Sequence, residues 1–496
     1  MLPFVYNFPF FSIFLCMVSA ILLSIVKSDT FSFYWTMLVS FVCCLLSLAL
    51  TMYLTKAGVS FAYTMGKFPA PFGNEIKAGP LQALLAAVFS FVMFFSLLGG
   101  REDFFADVKK GKLGLACVML NMTLVGLLVL TYTNDIFTGY VFIEISTIAA
   151  CALVMIKESG ETFVATIRYL FMSLLGSGLF LFGIIILYGI TGQLLMPQIT
   201  EAVQRLAATG EYRGALFASL SLITVGLGIK SGMYPFHRWI PWAYGTASTG
   251  ASAVLSGLVQ KGYVVLLITV FCRIFTLDTV RDMGINNLIF VLGLLGMIIG
   301  SLYAMKEGHM KKMLAYSSAA QLSYVFMGIG MGTEAGIAAA CFQLIAHACT
   351  KSLLFLTAGR LSEVTGGEQE IHALRSSAWR VPMAGLAFLV GTLSMIGIPL
   401  MAGFNSKLTL ALASDGLESL LVLAALGVSS VLNALYYIPA FIAIWSTGES
   451  AVREGTANRK AIDFGIAAAA LMTGVIVLGF LFAPVMGVIE AGLGLM

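Results

Sequence analysis

The sequence predicts an all-α polytopic membrane protein with about fourteen transmembrane helices. Of its 496 residues, 59% are hydrophobic and only 10% are charged, whereas soluble domains carry roughly 25% charged residues. Apolar stretches of about 20 residues, enough to cross a bilayer core of about 30 Å, recur along nearly the whole chain. This composition leaves no room for a sizeable soluble domain, so residues 1–496 are expected to form a single membrane domain.

The predicted spans are separated by polar, glycine-rich or charged turns. Examples are Arg101–Lys112, Lys306–Lys312 and Glu363–Arg380, none of which is long enough to hold an independent domain. We place the fourteen spans near residues 10–26, 32–55, 80–99, 113–132, 135–156, 164–190, 214–233, 243–272, 285–304, 312–331, 334–358, 382–412, 420–446 and 462–488.

Basic residues are distributed unevenly between the two sets of loops. The odd-numbered loops (1–2, 3–4 and so on) contain 17 of the 28 Lys and Arg residues, the even-numbered loops contain 7, and the remaining 4 lie within spans. Because cytoplasmic loops carry the excess of Lys and Arg, the odd loops are predicted to be cytoplasmic. Fourteen spans then place both termini on the outer side of the cell (inner or plasma) membrane.

Two of the predicted spans are interrupted by glycine and proline, near residues 230–236 and 397–404. Proline removes a backbone donor and clashes with the preceding turn, so both helices should break there. Irregular backbone at membrane depth persists only where it is buried in protein or lines a cavity. We therefore predict that Pro235, His237 and Pro399 lie at helix breaks and line an ion path.

The positions of the two breaks also predict an internal structural repeat. Paired broken helices in corresponding halves of a membrane protein are typical of transporters built from inverted repeats. The predicted arrangement is an inverted repeat of five-helix units. The first half covers 113–272 and the second covers 285–446, with flanking helices in 1–99 and 462–488.

Ionisable residues within the spans are the candidate functional groups. A charge at the bilayer centre costs from about 3 to more than 10 kcal/mol, so such residues persist only when they are paired, hydrated or neutralised. A buried lysine can become able to exchange protons, and an adjacent carboxylate favours its charged form. For Lys351 a helix-packing role is the open alternative, and a lysine near a helix end can also snorkel to the interface. The candidates are Glu144, Lys230, Lys261, His347, Lys351 and Lys407.

Several classes of site are missing from the sequence. There is no phosphate-binding loop and no dinucleotide-binding glycine motif in a strand–helix context. The eight cysteines form no C-x-x-C pattern, and four histidines offer little scope for paired haem ligands. We therefore expect no cofactor, no metal, no redox centre and no bond chemistry in this chain, and no nucleic-acid partner.

Five motifs carry a resemblance to a known family. They are Lys230-Ser-Gly-Met-Tyr-Pro-Phe-His-Arg-Trp-Ile-Pro241, the following segment ASTGASAVLSGLVQKGYVV with Lys261, Lys311-Lys-Met-Leu-Ala-Tyr-Ser-Ser318 with Gln321, HACTKSLLFLTAGRL, and GIPLMAGFNSK. Over residues 110–445 the chain resembles the antiporter-like membrane subunits shared by respiratory complex I, energy-converting membrane-bound hydrogenases and multisubunit (Mrp-type) sodium/proton antiporters. Trp242, Ala243 and Tyr244 replace the usual Asp-Ala-His, which weakens any expectation of proton entry near residue 242.

The resemblance implies roles for the candidate residues. Glu144 corresponds to the family's carboxylate on the fifth span, and its pair with Lys230 to the element that couples to neighbouring subunits. Lys261 corresponds to the central lysine and Lys407 to the terminal lysine, with His347 and Lys351 as the eleventh-span pair. The implied partners are other membrane subunits of the same complex, including further antiporter-like subunits, and a peripheral redox arm with iron–sulfur or nickel–iron subunits in the redox-driven members.

The sequence leaves three functions open. The first is a proton-translocating subunit of a larger complex, coupled to redox chemistry or cation exchange in its partners, with sodium as the alternative ion. The second is a stand-alone sodium/proton secondary transporter. The third is an inert membrane scaffold that seats partner subunits.

Overall fold

Long apolar helices form nearly all of the described chain. A computed structural model of the protein describes residues 4–65, 68, 73–446 and 461–496. Because lipid offers no hydrogen-bond partners, the backbone of a spanning segment must satisfy its own polar groups, which an α-helix does. The prediction of an all-α membrane fold is confirmed, and twelve of the described helices are long and apolar enough to cross a membrane.

The first part of the chain contains thirteen α-helices up to the middle of the sequence. They are α1 (Phe8–Ile25), α2 (Asp29–Ala57), α3 (Pro80–Gly99), α4 (Arg101–Asp107), α5 (Leu113–Tyr132), α6 (Ile136–Val154), α7 (Gly160–Thr191), α8 (Met196–Thr209), α9 (Arg213–Ser231), α10 (Ile240–Thr246), α11 (Thr249–Val254), α12 (Gln260–Val270) and α13 (Leu277–Asp282). Short 3₁₀ segments occupy Phe4–Asn7 and Phe236–Trp239, and π-helical turns occupy Leu255–Val259 and Phe271–Phe275.

Nine further α-helices complete the described chain. They are α14 (Ile285–Lys306), α15 (Met310–Gly330), α16 (Glu334–Glu363), α17 (Ser377–Arg380), α18 (Pro382–Ile396), α19 (Ala402–Leu412), α20 (Gly416–Trp445), α21 (Ala461–Phe480) and α22 (Phe482–Gly494). The most apolar stretches of α16 and of the segment Thr249–Phe275 are completely buried. These two elements are therefore the centre of the helix bundle.

The number of fourteen spans stays a prediction. The two predicted spans that are not among the twelve apolar helices fall on α15 and on the broken pair α18–α19. Helix α15 has 21 residues, enough to cross, but it is buried almost throughout and rich in polar residues. Because a helix shielded from lipid by its neighbours does not need an apolar surface, its composition alone does not reveal a crossing.

Contacts between loops divide the described chain into two ends. Loops 3–4 and 5–6 meet through Lys109 and Glu158, and loop 3–4 meets the end of α16 through Glu102 and Arg360. At the opposite end, Asn134 of loop 4–5 bonds to Glu75 of loop 2–3. We call the end that gathers the odd-numbered loops the basic side. Three of the basic residues counted there, Arg453, Arg459 and Lys460, lie outside the described residues.

Both predicted helix breaks are present. Helix α9 ends at Ser231, where Gly232 adopts φ +74°, and the chain resumes a helical course in the 3₁₀ turn Phe236–Trp239 and α10. Helix α18 ends at Ile396 before Gly397, whose φ is +90°, and α19 starts at Ala402. Such left-handed conformations favour glycine because a Cβ would clash. The inverted repeat itself stays a prediction.

Four local features were not predicted. A two-stranded antiparallel hairpin pairs β1 (Phe61–Thr64) with β2 (Glu75–Ala78) in loop 2–3. The short helices α4 and α8 lie in segments that we read as turns, and the predicted last span 462–488 is divided at Leu481 into α21 and α22. The hairpin and the two short helices lie at the ends of spans, where the apolar signal that defines a span stops. The division at Leu481 lies inside an apolar stretch, shortly before Pro484.

Candidate functional site

Lys230 and Glu144 form an ion pair between two helices. The Lys230 Nζ lies 3.4 Å from the Glu144 Oε1 and donates to the Thr147 hydroxyl at 2.7 Å. Glu144 and Thr147 are one turn apart on α6, so both face the end of α9. The lysine is fully buried, whereas 26% of the glutamate side chain is exposed on the outside of the chain. The structure therefore brings the first predicted pair together at the edge of the bundle.

The position of Lys230 follows from the helix break. It lies in the last turn of α9, where the helix macrodipole is negative and favours a cation. Two of the carbonyls freed by the break are satisfied, because the Trp239 indole donates to Ile229 O at 3.4 Å and the Gln260 amide donates to Ser231 O at 3.1 Å. These bonds let the helix end inside the protein.

Lys261 lies in Thr249–Phe275, one of the two elements at the centre of the bundle. It is 0% exposed, and its Nζ donates to the main-chain oxygen of Ser256 in the π-helical turn just before it. A π-helical turn inside an α-helix often marks a functional site. No carboxylate of the described chain forms an ion pair with Lys261. Its charge therefore depends on backbone dipoles and on polar groups nearby.

His347 and Lys351 lie on one face of α16, as the spacing of four residues predicts. Both are 0% exposed. Lys351 donates to Leu314 O at 2.9 Å and to the Tyr437 hydroxyl at 3.1 Å. His347 interacts electrostatically with Lys261 and Lys351, and neither of its ring nitrogens has a hydrogen-bond partner among the described residues. His347 thus lies between two lysines with both nitrogens available.

Lys407 binds the end of the other broken helix. Its Nζ donates to Ile396 O at 2.6 Å, to Met395 O at 3.3 Å and to the Ser430 hydroxyl at 2.8 Å. The first two are carbonyls of the last turn of α18, which have no partner within a helix that ends there. Lys407 is partly buried, and it therefore occupies a less enclosed place than the three other lysines.

Hydroxyl and amide groups join Lys351 to the Lys407 end of the site. The Tyr437 hydroxyl lies 2.9 Å from the Ser317 hydroxyl, which in turn lies 3.0 Å from the Tyr436 hydroxyl. Tyr436 donates to the Asn433 Oδ1 at 2.6 Å, and Asn433 donates to Met395 O at 3.2 Å, a carbonyl that also accepts from Lys407. These residues were not among the predicted candidates, because a tyrosine or asparagine in a span carries no charge to mark it.

A shorter polar link joins Lys261 to Lys351. The Ser256 and Ser318 hydroxyls are 2.8 Å apart. Ser318 donates to Leu314 O at 2.9 Å, the carbonyl that also accepts from Lys351. Ser318 belongs to the K-x-L-A-Y-S-S motif, which was a usable signal, although the sequence alone did not tell which of its residues face the centre.

The three residues predicted at the breaks lie apart from these contacts. His237 is buried, and its ring packs near Tyr234 and Tyr303 with centroid distances of 5.7 and 5.9 Å. Pro235 and Pro399 are exposed. A part for Pro235, His237 and Pro399 in lining an ion path stays a prediction.

Two buried cations were not among the predicted candidates. Lys311, counted as a loop residue, is 2% exposed, and its ammonium bonds to the Ala247 main-chain oxygen. Arg273, at the opposite end, is 7% exposed and donates to the Asn134 side chain. Both sit at span ends, where a sequence does not distinguish a solvated from a covered position. One buried cation therefore lies at each end of the bundle.

Two carboxyl groups on the basic side have pKa values that are shifted in opposite directions. Hydrogen bonds from Lys109 and Lys112 lower the pKa of the Glu158 carboxyl. Burial, with repulsion from Glu363 and Asp107, raises the pKa of Asp103 to about 7. Asp103 therefore exchanges protons near neutral pH. Its electrostatic neighbours include Lys311, which lowers that pKa.

Metal coordination finds no support among the described residues. No group of three or more His, Cys, Asp or Glu side chains there could hold a metal ion. None of the cysteines in the described chain forms a disulfide bond. The sulfur atoms of Cys16 and Cys43 lie 3.4 Å apart.

The family described as NADH:quinone oxidoreductase/Mrp antiporter, transmembrane, matches residues 133–433, which is more than half of the chain and includes all six candidate ionisable residues. The chain belongs to this family. The resemblance inferred from the five motifs is thus confirmed. Membership makes the protein an antiporter-like, multi-pass membrane subunit.

Relatives from two kinds of complex are similar to this member of the family. NADH-quinone oxidoreductase subunit N from Desulforudis audaxviator is 30% identical over 383 residues, covering 77% of this chain and 74% of the relative. A Na(+)/H(+) antiporter subunit from Alkalihalophilus pseudofirmus is 27% identical over 423 residues, covering 85% of this chain and 83% of the relative. Similarity alone does not separate the two kinds.

Solved structures agree with the fold. A chain of the Mrp complex from Dietzia sp. superimposes with a TM-score of 0.87 at 20% identity, covering 99% of this chain and 97% of that chain. A chain of the membrane-bound sulfane sulfur reductase, an archaeal respiratory membrane complex, gives 0.83 at 25% identity, covering 99% and 96%. The family fold therefore extends over the whole described chain.

Proposed function

We propose that this chain is a proton-translocating subunit of a multisubunit membrane complex. Protons would move along the row Glu144, Lys230, Lys261, His347, Lys351 and Lys407, coupled to redox chemistry or cation exchange in partner subunits. The observation that supports this most strongly is that three buried or partly buried lysines of the row have no carboxylate partner in the described chain. These are Lys261, Lys351 and Lys407.

Unpaired lysines favour proton exchange for a physical reason. An ammonium removed from water loses several kcal/mol of hydration, and it avoids that loss by releasing its proton and becoming a neutral amine. Each lysine here instead keeps one to three hydrogen bonds, so both protonation states remain accessible. The proposed route enters near Lys230 or Lys261, passes buried water and His347, and leaves near Lys407.

Glu144 is the proposed point of coupling to a neighbouring subunit. It is the only member of the row that is an acid, and a quarter of its side chain is exposed on the flank of α6. An ionised carboxylate facing lipid would be unfavourable, which supports the presence of another membrane subunit there. A neighbour that moved Glu144 away from Lys230 would favour proton release from the lysine.

The partners follow from the family. We propose that the chain assembles with other membrane subunits, including further antiporter-like subunits. A peripheral redox arm with iron–sulfur or nickel–iron subunits would drive transport in a redox complex, whereas an antiporter complex would lack that arm. Purifying the complex from membranes through a tag on this chain and identifying its subunits by mass spectrometry decides between them.

We propose a cell-membrane location with both termini outside. The two ends of the described chain lie on the same side, since Tyr6 stacks on Phe61 and Met496 bonds to Lys77, both on the hairpin of loop 2–3. The excess of basic residues in the opposite loops supports a cytoplasmic basic side. A phosphatase fused after Met496 should be active only if that terminus is outside.

The central test is Lys261→Ala in the assembled complex, with Lys306→Ala as the control because Lys306 is exposed at the end of α14. We expect Lys261→Ala to abolish proton translocation in membrane vesicles while the subunits still copurify. Unchanged pumping with normal assembly would rule out Lys261 as a central relay. Exchange of sodium for protons by the purified chain alone would favour a stand-alone transporter. Unchanged proton translocation by a complex with Glu144→Gln would favour a scaffold.

A further inference from the structure

A groove of about 580 Å³ opens on the flank of the bundle, where α7 passes the break between α9 and α10. Its walls are mainly apolar and include Phe171, Met172 and Phe236, but two guanidinium groups, those of Arg168 and Arg238, also line it. The volume is in the range of typical ligand-binding clefts. The groove therefore combines an apolar wall with two cations.

The groove faces the surroundings of the bundle, not its interior. Phe171 is 70% exposed and Trp242, at the groove's edge, is 42% exposed. Arg168 lies eight residues after the start of α7, which is about 12 Å along the axis. With 32 residues α7 is about 48 Å long, longer than a hydrocarbon core of about 30 Å. The groove therefore runs from the headgroup region on the basic side toward the acyl chains.

Three cations lie around the end of the groove that faces the headgroup region. The Arg168 guanidinium lies 4.3 Å from the centroid of the Trp242 ring, and the Lys312 ammonium lies 5.1 Å from the same centroid. Arg238 reaches the Tyr303 hydroxyl at 3.5 Å. None of the three forms an ion pair with a carboxylate among the described residues. The site thus carries a local positive charge that the described chain does not neutralise.

We propose that this groove binds one anionic phospholipid. Its phosphate would be held by Arg168 and Arg238, and an acyl chain would lie over Phe171, Met172 and Phe236. Arginine binds phosphate through paired, charge-assisted hydrogen bonds, and basic pockets between membrane helices on the cytoplasmic side are suited to anionic headgroups. A tryptophan at this depth is typical of the membrane interface.

A lipid explains the groove better than a protein segment does. The apolar wall is continuous with the lipid-facing flank of α7, so an acyl chain can enter sideways from the bilayer. The cations lie only at the headgroup end, as the single charge of a phospholipid requires. Because Pro235 also lines the groove, the lipid would pack directly against the break that positions Lys230.

Trp242 allows the proposal to be tested by fluorescence. The full-length protein is reconstituted into phosphatidylcholine vesicles that contain either brominated phosphatidylglycerol or brominated phosphatidylcholine, since bromine quenches a tryptophan that it touches. We expect phosphatidylglycerol to quench at a mole fraction at least about fivefold lower, the effect of roughly 1 kcal/mol for one arginine. Trp242→Phe should remove most of this selective quenching.

The variants decide whether the groove is responsible. Arg168→Gln with Arg238→Gln should abolish the preference for phosphatidylglycerol, whereas the control Arg213→Gln, at the exposed start of α9 on the opposite side, should keep it. High salt should weaken the preference in the unaltered protein, which gives a test that needs no variant. Equal quenching by both lipids, or a preference retained by the double variant, would overturn the proposal.

The purified multisubunit complex provides the last arm of the test. Retained selective quenching there supports the lipid as occupant. Loss of selective quenching in the complex, together with a crosslink from Phe171→Cys to a partner subunit, would overturn it in favour of a protein segment. Both outcomes are independent of ion transport, so the failure of this proposal and of the proposed function can be distinguished.

Discussion

The ammonium nitrogen of Lys407 lies 2.6 Å from the main-chain oxygen of Ile396, where helix α18 ends. Lys230 lies in the last turn of α9, before the other break. In both broken helices a lysine thus sits at the negative end of the first half-helix. The two lysines come from different halves, because Lys230 belongs to the first half-helix and Lys407 belongs to the second.

This relationship predicts different outcomes for two substitutions of Lys407. Arginine keeps the cation at the helix end but does not release its proton at physiological pH. Lys407→Arg should therefore assemble normally and translocate protons at least about tenfold more slowly, an effect of about 1.4 kcal/mol or more on the barrier. Lys407→Met should lose transport and also destabilise the fold by about 1–3 kcal/mol.

Proton uptake by vesicles and the melting temperature of the purified complex measure the two effects. Lys306→Arg makes the same substitution at an exposed lysine and is the matched control. A Lys407→Arg complex that pumps at the normal rate would show that Lys407 needs only its charge.

The ion pair of Lys230 with Glu144 gives a second prediction. Glu144→Gln removes the negative charge 3.4 Å from the ammonium but keeps the size of the side chain. Because the charged form of Lys230 then loses its partner, coupled transport should fall at least about tenfold, while Glu144→Asp should retain part of it. The measurement is proton translocation driven through the assembled complex.

Glu161→Gln, at an exposed position in the first turn of α7, controls for a general effect of charge. Equal loss in both variants would contradict a special role for the pair.

The polar link beyond Lys351 gives a third prediction. Tyr437→Phe keeps the buried ring but removes the hydroxyl that joins Lys351 to Ser317. We expect a loss of about 1 kcal/mol in stability, typical of one hydrogen bond, and proton translocation about tenfold slower because the connection is interrupted. Tyr188→Phe, on an exposed tyrosine of α7, is the control.

Normal translocation by Tyr437→Phe would show that protons do not use this hydroxyl. A loss of stability without a change in rate would assign it a packing role.

Asp103 gives a prediction for pH. Its folded-state pKa of about 7 lies above the ordinary value of 3.8, so between these values the folded chain holds a proton that the unfolded chain has lost. Stability from this group is present below pH 4 and is lost as pH rises through about 7. Asp103→Asn, which mimics the protonated state, should stabilise the protein at pH 8 by about 1 kcal/mol after screening by solvent, and by less than half of that at pH 5.

Melting temperatures of the purified protein at pH 5 and pH 8 test this sign. Glu158→Gln should act in the opposite direction at pH 8, because its carboxylate is stabilised by Lys109 and Lys112. An Asp103→Asn effect that is the same at both pH values would contradict the raised pKa.

The class of fold, the two helix breaks and the in-span charged residues could be predicted from the order of residues alone. Apolar length defines spans because a bilayer has a fixed thickness, and Gly232, Pro235 and Gly397 break helices through purely local backbone geometry. Lys261 and Lys407 were recognisable because a charge within an apolar segment is costly wherever the segment packs.

Which polar groups contact one another depended on how the helices pack. The links through Tyr437, Ser317 and Asn433, the burial of Lys311, and the groove beside Arg168 depend on helices far apart in sequence. Neutral polar residues leave no trace in hydropathy, and a lysine or arginine at a span end reads the same whether water, protein or lipid covers it. These properties arise from the packing of one helix against another, and the order of residues along a single helix does not specify that packing.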